Sequence, residues 1–567
     1  MLPKKGTMSK RSLLPCLPGV LLVASHSVFA AAPLPVAGGQ TPPMVPMQAP
    51  AATVPVVDFK ADPVATSPQA ATPPDGVQVL VNSLRVTGST VYPEADLLAL
   101  TGFVPGSRLR LADLRAMAAK VADHYRRNGY FLAQAYLPAQ AVGSGVVTIA
   151  VMEGHYGQVK INNQTSLSDR TVSGQLEGLN PGDPVASVPL ENRLLLLSDL
   201  PGVQVRSTLV PGASVGASDL VVDVTPGRPF TGSIDFDNGG NRYTGDYRLG
   251  ATLNANNPLG LGDVASLRVL TSGPGLNYAR AAYQLPVGKA RVGVAYSHLA
   301  YELGREFDSL GASGTANIAS VFGSYPLMRT RHSNLTAALA LDAKTFDDDV
   351  ATPASHARKK AQVLMASLYG DHRGGGGVSA YSVTWSAGNI DLQDPAVRAA
   401  DAATARSNGH FNKLGFGASR LQSVGDRLSL YASINGQAAS RNLDVSEKME
   451  LGGMSAVRAY PEGEAYGDQG AVLTLEARWR LMQPSPQQPG ALDFIVFADA
   501  GTVTTHHSPW GVGDNRRSLS GAGVGLNWTV ANDLVVKTYY ARKLGNESAT
   551  SAPDKSGRWW LQLVKYF

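Results

Sequence analysis

The chain has 567 residues, too many for one ordinary domain, and carries 49 Lys and Arg against 44 Asp and Glu. Four of the basic residues and none of the acidic ones lie in residues 1–30, so the rest is nearly neutral and has no basic footprint for nucleic acid. Cys16 is the single cysteine, which excludes a disulfide framework.

The first element is a leader. Lys4, Lys5, Lys10 and Arg11 precede an apolar stretch over 13–24, and Val28-Phe29-Ala30 offers a cleavage site, placed after Ala30. Pro15, Pro18 and Gly19 interrupt a stretch already shorter than the ~20 residues of a spanning helix. Residues 1–30 therefore read as a signal peptide, and Cys16 is removed with them. A mature chain without thiols fits an oxidising periplasm. Residues 31–76 are rich in Pro and Ala, from Pro33 and Pro35 to Pro73 and Pro74. Missing amide donors and restricted φ angles oppose packing there, so a flexible tether is expected.

From residue 77 the pattern changes to strand, two helices, two strands. Val79, Val81, Leu84 and Val86 form an extended entry, 94–100 a short helix and 111–128 a longer one. On the longer helix Leu111, Leu114, Ala118, Val121 and Tyr125 recur at spacings of three and four, which gives one apolar face. Gly129 ends it, and strands follow over 131–137 and 146–152. The same order returns once: a strand near 158–161, helices near 169–179 and 190–197, then strands over 203–209 and 219–224. These two βααββ units, 77–154 and 155–228, meet at Glu153-Gly154 and resemble paired POTRA domains.

After Pro226-Gly227 helical periodicity disappears, and residues 229–567 read as sixteen short alternating strands, from 230–238 and 243–255 to 533–545 and 557–567. An even number lets both ends of a sheet close on one side of a membrane. Connections after even-numbered strands are short, as at Val287-Gly288 and Ala531-Asn532, and those after odd-numbered strands lengthen to the segment between Ser440 and Gln469. That asymmetry is expected of periplasmic turns and outer loops. In the twelfth strand Leu473, Leu475, Ala477, Trp479 and Leu481 share one face, and Thr474, Glu476, Arg478 and Arg480 share the other. In the seventh, Leu335, Ala337, Leu339 and Leu341 oppose Thr336, Asp342 and Lys344. The fold class expected is a transmembrane β-barrel of sixteen antiparallel strands, apolar outside, preceded by two α+β units.

The long sixth outer loop contains Gly452-Gly453-Met454-Ser455-Ala456-Val457-Arg458-Ala459-Tyr460, followed by Gly467-Asp468. The thirteenth strand contains Phe497-Ala498-Asp499-Ala500-Gly501, in which Phe497, Asp499 and Gly501 share a face by the period of two. With these motifs the chain resembles the transporters of two-partner secretion, the haemolysin-activator type of the outer-membrane POTRA and barrel superfamily. The resemblance implies that the loop folds back into the lumen and that Val457, Arg458, Ala459 and Tyr460 form its gating tip. It also implies that Arg458 meets Asp499; Gly501 leaves room for the loop, and Glu476 is a second acceptor on the lumen face. Ala459 stands where the family usually has Gly, and a positive φ there would strain an alanine.

Three weaker motifs lead elsewhere. Gly212-Ala213-Ser214-Val215-Gly216 has the spacing of a hydrolase elbow but lies in a hairpin connection. Gly521-Ala522-Gly523-Val524-Gly525 lies within a strand and has no helix after it, so it is no nucleotide loop. His506-His507 has no evident third metal ligand and reads as an exposed loop. No catalytic residue, metal or cofactor is expected. The resemblance implies export, without nucleotide hydrolysis, of a secreted exoprotein received by the periplasmic units. It also implies a barrel set in outer-membrane lipid and inserted by the barrel assembly machinery, with the terminal Phe567 resembling the insertion signal. An insertase of the same superfamily usually carries more than two such units, and a diffusion porin has no use for them.

Overall fold

The computed structural model describes residues 56–59, 78–352, 354–511 and 513–567. The expected leader and the Pro-rich segment apart from Val56–Phe59 lie outside these residues. That short piece is the first correction: it forms β1 (Val56–Phe59), within a proline-free run between Pro55 and Pro63 that opens with two β-branched residues.

The first unit comprises β2 (Gln78–Val81), β3 (Ser83–Thr87), α1 (Glu94–Thr101), β4 (Ser107–Arg110), α2 (Leu111–Arg127), β5 (Gln134–Tyr136) and β6 (Val146–Met152). The order β3-β6-β5 makes its sheet, and β2 with β4 makes a separate ribbon. Helix α2 buries Leu114, Ala118, Val121, Ala122 and Tyr125 against that sheet. The second unit runs β7 (His155–Asn163), α3 (Asp169–Gln175), α4 (Ser187–Ser198), β8 (Val203–Pro211) and β9 (Ala217–Pro226). Its sheet has the order β1-β8-β9-β7, because β1 lies parallel to β8 with Val56 opposite Arg206 and Phe59 opposite Leu209. The outer side of β8 is thus paired from within the chain rather than left open.

The two units are joined by more than the chain. Phe131 and Leu132 of the first pack on the core of the second, and the Ser187 amide donates to Gly129 O at 2.9 Å. At the junction the Glu153 carboxylate accepts from Thr90 N (2.8 Å), Val91 N (2.9 Å) and the Tyr125 hydroxyl (2.6 Å). Burial opposes its charge, but the bonds from Thr90, Tyr125 and Val91 outweigh burial and hold the carboxyl below its usual range. Burial and the same carboxylate push the Tyr125 hydroxyl up.

The barrel strands are β10 (Phe230–Asp237), β11 (Arg248–Asn256), β12 (Val264–Thr271), β13 (Leu276–Val287), β14 (Ala290–Glu302), β15 (Ser313–Arg329), β16 (Ser333–Ala351) and β17 (Ala354–Gly374). Next come β18 (Gly377–Leu392), α5 (Pro395–Ala403) in an outer loop, β19 (Gly409–Ser423) and β20 (Leu428–Ala439). The sixth outer loop holds two short strands, β21 (Met449–Glu450) and β22 (Tyr466–Gly467). The last barrel strands are β23 (Gln469–Met482), β24 (Gly490–Thr504), β25 (Arg516–Val530), β26 (Leu534–Lys543) and β27 (Gly557–Tyr566). All sixteen barrel strands pair with their neighbours, and β10 meets β27 to close the ring, as the parity required. The terminal Phe567 and Gly232 exchange backbone hydrogen bonds at 3.1 Å across that seam.

Side chains sort by face as the alternation predicts. Leu339, Leu473, Leu475, Trp479 and Leu481 stand exposed on the outside, the apolar face expected of a membrane barrel, where a Lys or Arg at the midplane would cost ~2–4 kcal/mol. Several strand ends differ from expectation. Strands β16 and β17 extend beyond 345 and before 359, because the alternation continues: Phe346 is fully buried inside, and Asp347 pairs with Arg358 at 2.5 Å. Strand β11 starts at Arg248 instead of 243, since Tyr243 leaves the wall to pack edge-on against Phe307 at 4.7 Å. Helix α5 was not expected, although Asp394-Pro395 marks its start: the Asp394 side chain accepts from Ala396 N and Val397 N, with Pro395 at the first helical position.

The second unit docks on the short turns of the barrel. The Arg329 guanidinium holds both oxygens of Asp199 at 2.7 and 2.8 Å, and the Gln175 amide donates to Gly288 O at 2.9 Å. The Asn192 amide donates to Arg329 O at 3.0 Å. Two-point Arg–carboxylate pairing fixes orientation as well as distance, so the second unit sits at the barrel mouth in a defined pose.

Candidate functional site

The sixth outer loop turns inward. Strands β21 and β22 pair antiparallel and pinch it into a hairpin. Beyond that pinch the tip folds on itself: Leu451 N donates to Ala465 O (2.9 Å), Val457 N to Leu451 O (3.2 Å) and Tyr460 N to Val457 O (3.0 Å). Val457, Ala459 and Tyr460 are fully buried and share an apolar cluster with Phe497, Ile495, Tyr539 and Trp560 of the barrel wall.

Arg458 lies at the centre. Its Nε and Nη2 donate to Asp499 Oδ2 and Oδ1, both at 2.8 Å, and its Nη1 donates to Glu476 Oε1 at 2.9 Å. The Arg458 amide also reaches Asp499 Oδ2 at 3.2 Å, and Thr474 Oγ1 donates to Asp499 Oδ1 at 3.0 Å. The guanidinium carbon stands 3.4 Å from the centroid of the Phe497 ring and 5.0 Å from that of Tyr539. Glu476 divides its charge, since Arg478 Nε donates to its other oxygen at 2.8 Å. Arg458, Glu476 and Asp499 are 5, 8 and 2 % exposed, so the network is desolvated and loss of one member leaves a buried charge unpaired. On the other side of the tip Trp560 Nε1 donates to Arg458 O at 2.7 Å, and the Tyr460 hydroxyl donates to Glu547 O at 3.1 Å.

The structure thus brings Arg458, Asp499, Glu476 and Phe497 into one cluster. Gly501 also lies at the tip: a Cβ there would stand 2.4 Å from Leu451 Cδ1. Ala459 is absent from the four non-glycine residues with positive φ among those described, so no backbone strain arises from it. Its methyl group instead faces Gly521, where an added Cβ would lie 2.3 Å away. This gives the Gly521-Ala522-Gly523-Val524-Gly525 segment a role missing from its sequence reading. Gly521, Gly523 and Gly525 share the lumen face of β25, and Cβ atoms there would collide with Ala459, Phe497 and Tyr539 respectively. Three glycines at a spacing of two on a lumen face were the available signal.

Gly521→Val is expected to push the tip off its seat without removing a charge. Planar-bilayer recordings should then show larger or more frequent openings than the parent barrel, with heat-modifiable migration unchanged. Identical conductance would mean that the tip does not depend on this seat.

The remaining motifs lie apart from the tip. Val215 of Gly212–Gly216 is 91 % exposed at the end of the β8–β9 hairpin. The His507 amide donates to Asp468 Oδ2 at 2.7 Å, and the His506 ring packs on Trp510 at 4.0 Å, which leaves it half-buried rather than exposed.

Comparisons with known proteins add to this geometry. Residues 216–528 match the family described as haemolysin secretion/activation protein ShlB/FhaC/HecB. The chain belongs to that family. Residues 79–154 match the POTRA domain of ShlB type. The heme/hemopexin transporter protein HuxB of Haemophilus influenzae (strain 86-028NP) is 28 % identical over 470 residues, 82 % of each chain. The outer membrane transporter CdiB of Dickeya dadantii (strain 3937) is 27 % identical over 476 residues, 80 % of each. The solved structure of CdiB from Escherichia coli has the same fold, with a TM-score of 0.71 at 23 % identity, covering 90 % of this chain and 94 % of that one. As a haemolysin secretion/activation family member, the protein is an outer-membrane transporter of the two-partner type, exporting a partner protein, with its POTRA domains in the periplasm.

Proposed function

We propose that the two periplasmic units receive an extended segment of the partner exoprotein, and that the loop tip of Val457, Arg458, Ala459 and Tyr460 is the gate through which it passes. The observation that carries this reading is Arg458, buried between Asp499 and Glu476 at the centre of a loop drawn into the lumen. A polypeptide cannot share the lumen with a tip packed on five strands of its wall, so the tip moves for export. Strand addition suits the receiving step, because backbone hydrogen bonds bind while tolerating many side chains. On β8 that edge is taken by β1, so a partner strand adding there displaces Val56–Phe59. Folding of the emerging partner outside drives the transfer, with no nucleotide hydrolysed.

A porin reading has no use for a lumen closed by its own loop. The insertase reading has a fold likeness alone behind it, to BamA from Haemophilus ducreyi at 14 % identity and a TM-score of 0.52.

The two carboxylates should contribute unequally to the gate. Asp499 accepts from two of the three Arg458 guanidinium nitrogens, whereas Glu476 accepts from one and is also held by Arg478. Asp499→Asn is therefore expected to reduce partner secretion more than Glu476→Gln, measured as secreted against periplasmic partner at equal barrel levels. Equal secretion by Asp499→Asn and the parent would overturn the gate.

A further inference from the structure

The tip is one of several moorings of the sixth outer loop, another being the buried Lys448–Asp468 pair at 2.6 Å. The descending limb of the loop, before β21, is held by a separate set of contacts on the wall made by β16, β17 and β19, far around the ring from Asp499 and Trp560. Leu443 is 2 % exposed within the apolar cluster of Phe346, Ile390 and Phe411 that lines the outer half of the lumen. Asp444 Oδ1 accepts from Lys359 Nζ at 2.7 Å. Glu447 is held on both oxygens, Oε1 by Lys344 Nζ at 2.8 Å and Oε2 by Lys413 Nζ at 2.9 Å. Its carbonyl accepts from Lys413 Nζ at 2.9 Å and Gln437 Nε2 at 3.0 Å. Ser446, between the two acids, is fully buried.

We propose that Glu447 is a positioning residue for the gate: clasped by Lys344 and Lys413, it keeps the descending limb on its wall while the tip swings, which makes opening a hinged movement about a fixed stem. The proposal rests on the gate reading above and assigns to the loop an anchor outside the Val-Arg-Ala-Tyr motif. The charge arrangement favours this division of labour. Arg458 is the single cation of the loop tip at its network, so when the tip leaves, Glu476 retains Arg478 and Asp499 alone loses its cation, keeping the Thr474 hydroxyl. Glu447 has two cations and no competing carboxylate in ion-pair contact with either lysine, and release would strand a buried charge together with two lysines. A loop that let go of both walls would have no built-in path back to its seat; a stem that stays fixed returns the tip to it.

Cysteine accessibility separates tip from stem. Val457 in the tip and Ser446 in the stem are both 0 % exposed, and Cys16 is the single native cysteine and lies in the expected leader. Val457→Cys and Ser446→Cys are placed singly in the full chain in detergent, each with Arg458 and with Arg458→Ala, and reacted with a membrane-impermeant maleimide. Heat-modifiable migration reports folding. With Arg458→Ala, the thiol at 457 should react at least about ten-fold faster, and the thiol at 446 should stay protected until Glu447→Gln is added. If Arg458→Ala alone exposes both thiols equally, the fixed stem is overturned while the gate stands. If Arg458→Ala exposes neither, the gate reading fails and the proposal with it. If Glu447→Gln added to Arg458→Ala leaves 446 protected, Glu447 is not the anchor.

Discussion

Arg458→Ala is expected to lower partner secretion at least about ten-fold while the barrel still inserts and migrates as a heat-modifiable band. Removing one member of a buried pair costs about 3–5 kcal/mol, much of it the burden of the charge left behind, and each 1.4 kcal/mol is a factor of ten. Here Asp499 keeps only the Thr474 hydroxyl and a 3.2 Å backbone amide, and the tip loses the group about which its contacts are arranged. The barrel is spared because its sixteen strands are held by their own ladders, with the ring closed through β10 and β27. Arg458→Lys should also fail to restore export. A single ammonium cannot reproduce a planar fork that holds both oxygens of Asp499, reaches Glu476 and lies on the Phe497 ring. Normal secretion by Arg458→Ala would count strongly against the gating role.

The second large effect is at the opposite end. Deleting residues 77–154 from the otherwise full chain is expected to abolish binding of the partner's N-terminal region, measured by retention of the partner segment on the purified barrel. That deletion removes the β3-β6-β5 sheet with its edges, together with the Glu153 network that braces the junction to the second unit. The second unit keeps its own core and its Asp199–Arg329 clamp on the barrel, so the lost surface rather than a lost barrel should dominate. The deletion also uncovers the site of Phe131 and Leu132, and Asp199→Ala serves as a control for a disturbed second unit. Unchanged binding by the deletion variant would sink the receptor assignment.

Much of this architecture is legible in the residues, for identifiable reasons. Alternation with a period of two is written by lipid on one side and lumen on the other, so Glu476 and Asp499 were placed inward by counting alone. A loop has no such period, and its descent into the lumen came from the motif around Arg458, not from any physical pattern in Ser440 to Gln469. The same limit hid the stem. Lys344 was assigned to the lumen face by parity, yet its partner Glu447 lies 103 residues away in a segment without periodicity. Gly521 shows a third kind of gap: its position was read correctly within a strand, but a missing side chain reveals its purpose only when Ala459 is found against it. Strand β1 was hidden by its neighbours, since a proline-rich composition spoke for the whole segment while a short proline-free run inside it paired with β8.

A reversible lock on the tip tests the account at its centre. An added Cβ at Gly501 on β24 stands 2.4 Å from Leu451 Cδ1 of the loop, so Leu451→Cys with Gly501→Cys is the pair chosen for a disulfide across this contact. The partner is followed in the medium with the pair oxidised and again after reductant is added, with each single cysteine as a control. The gate account predicts that export stops when the pair is oxidised and resumes on reduction, with neither single variant responding. Equal export by the oxidised and reduced barrel would show that the partner leaves without moving this loop.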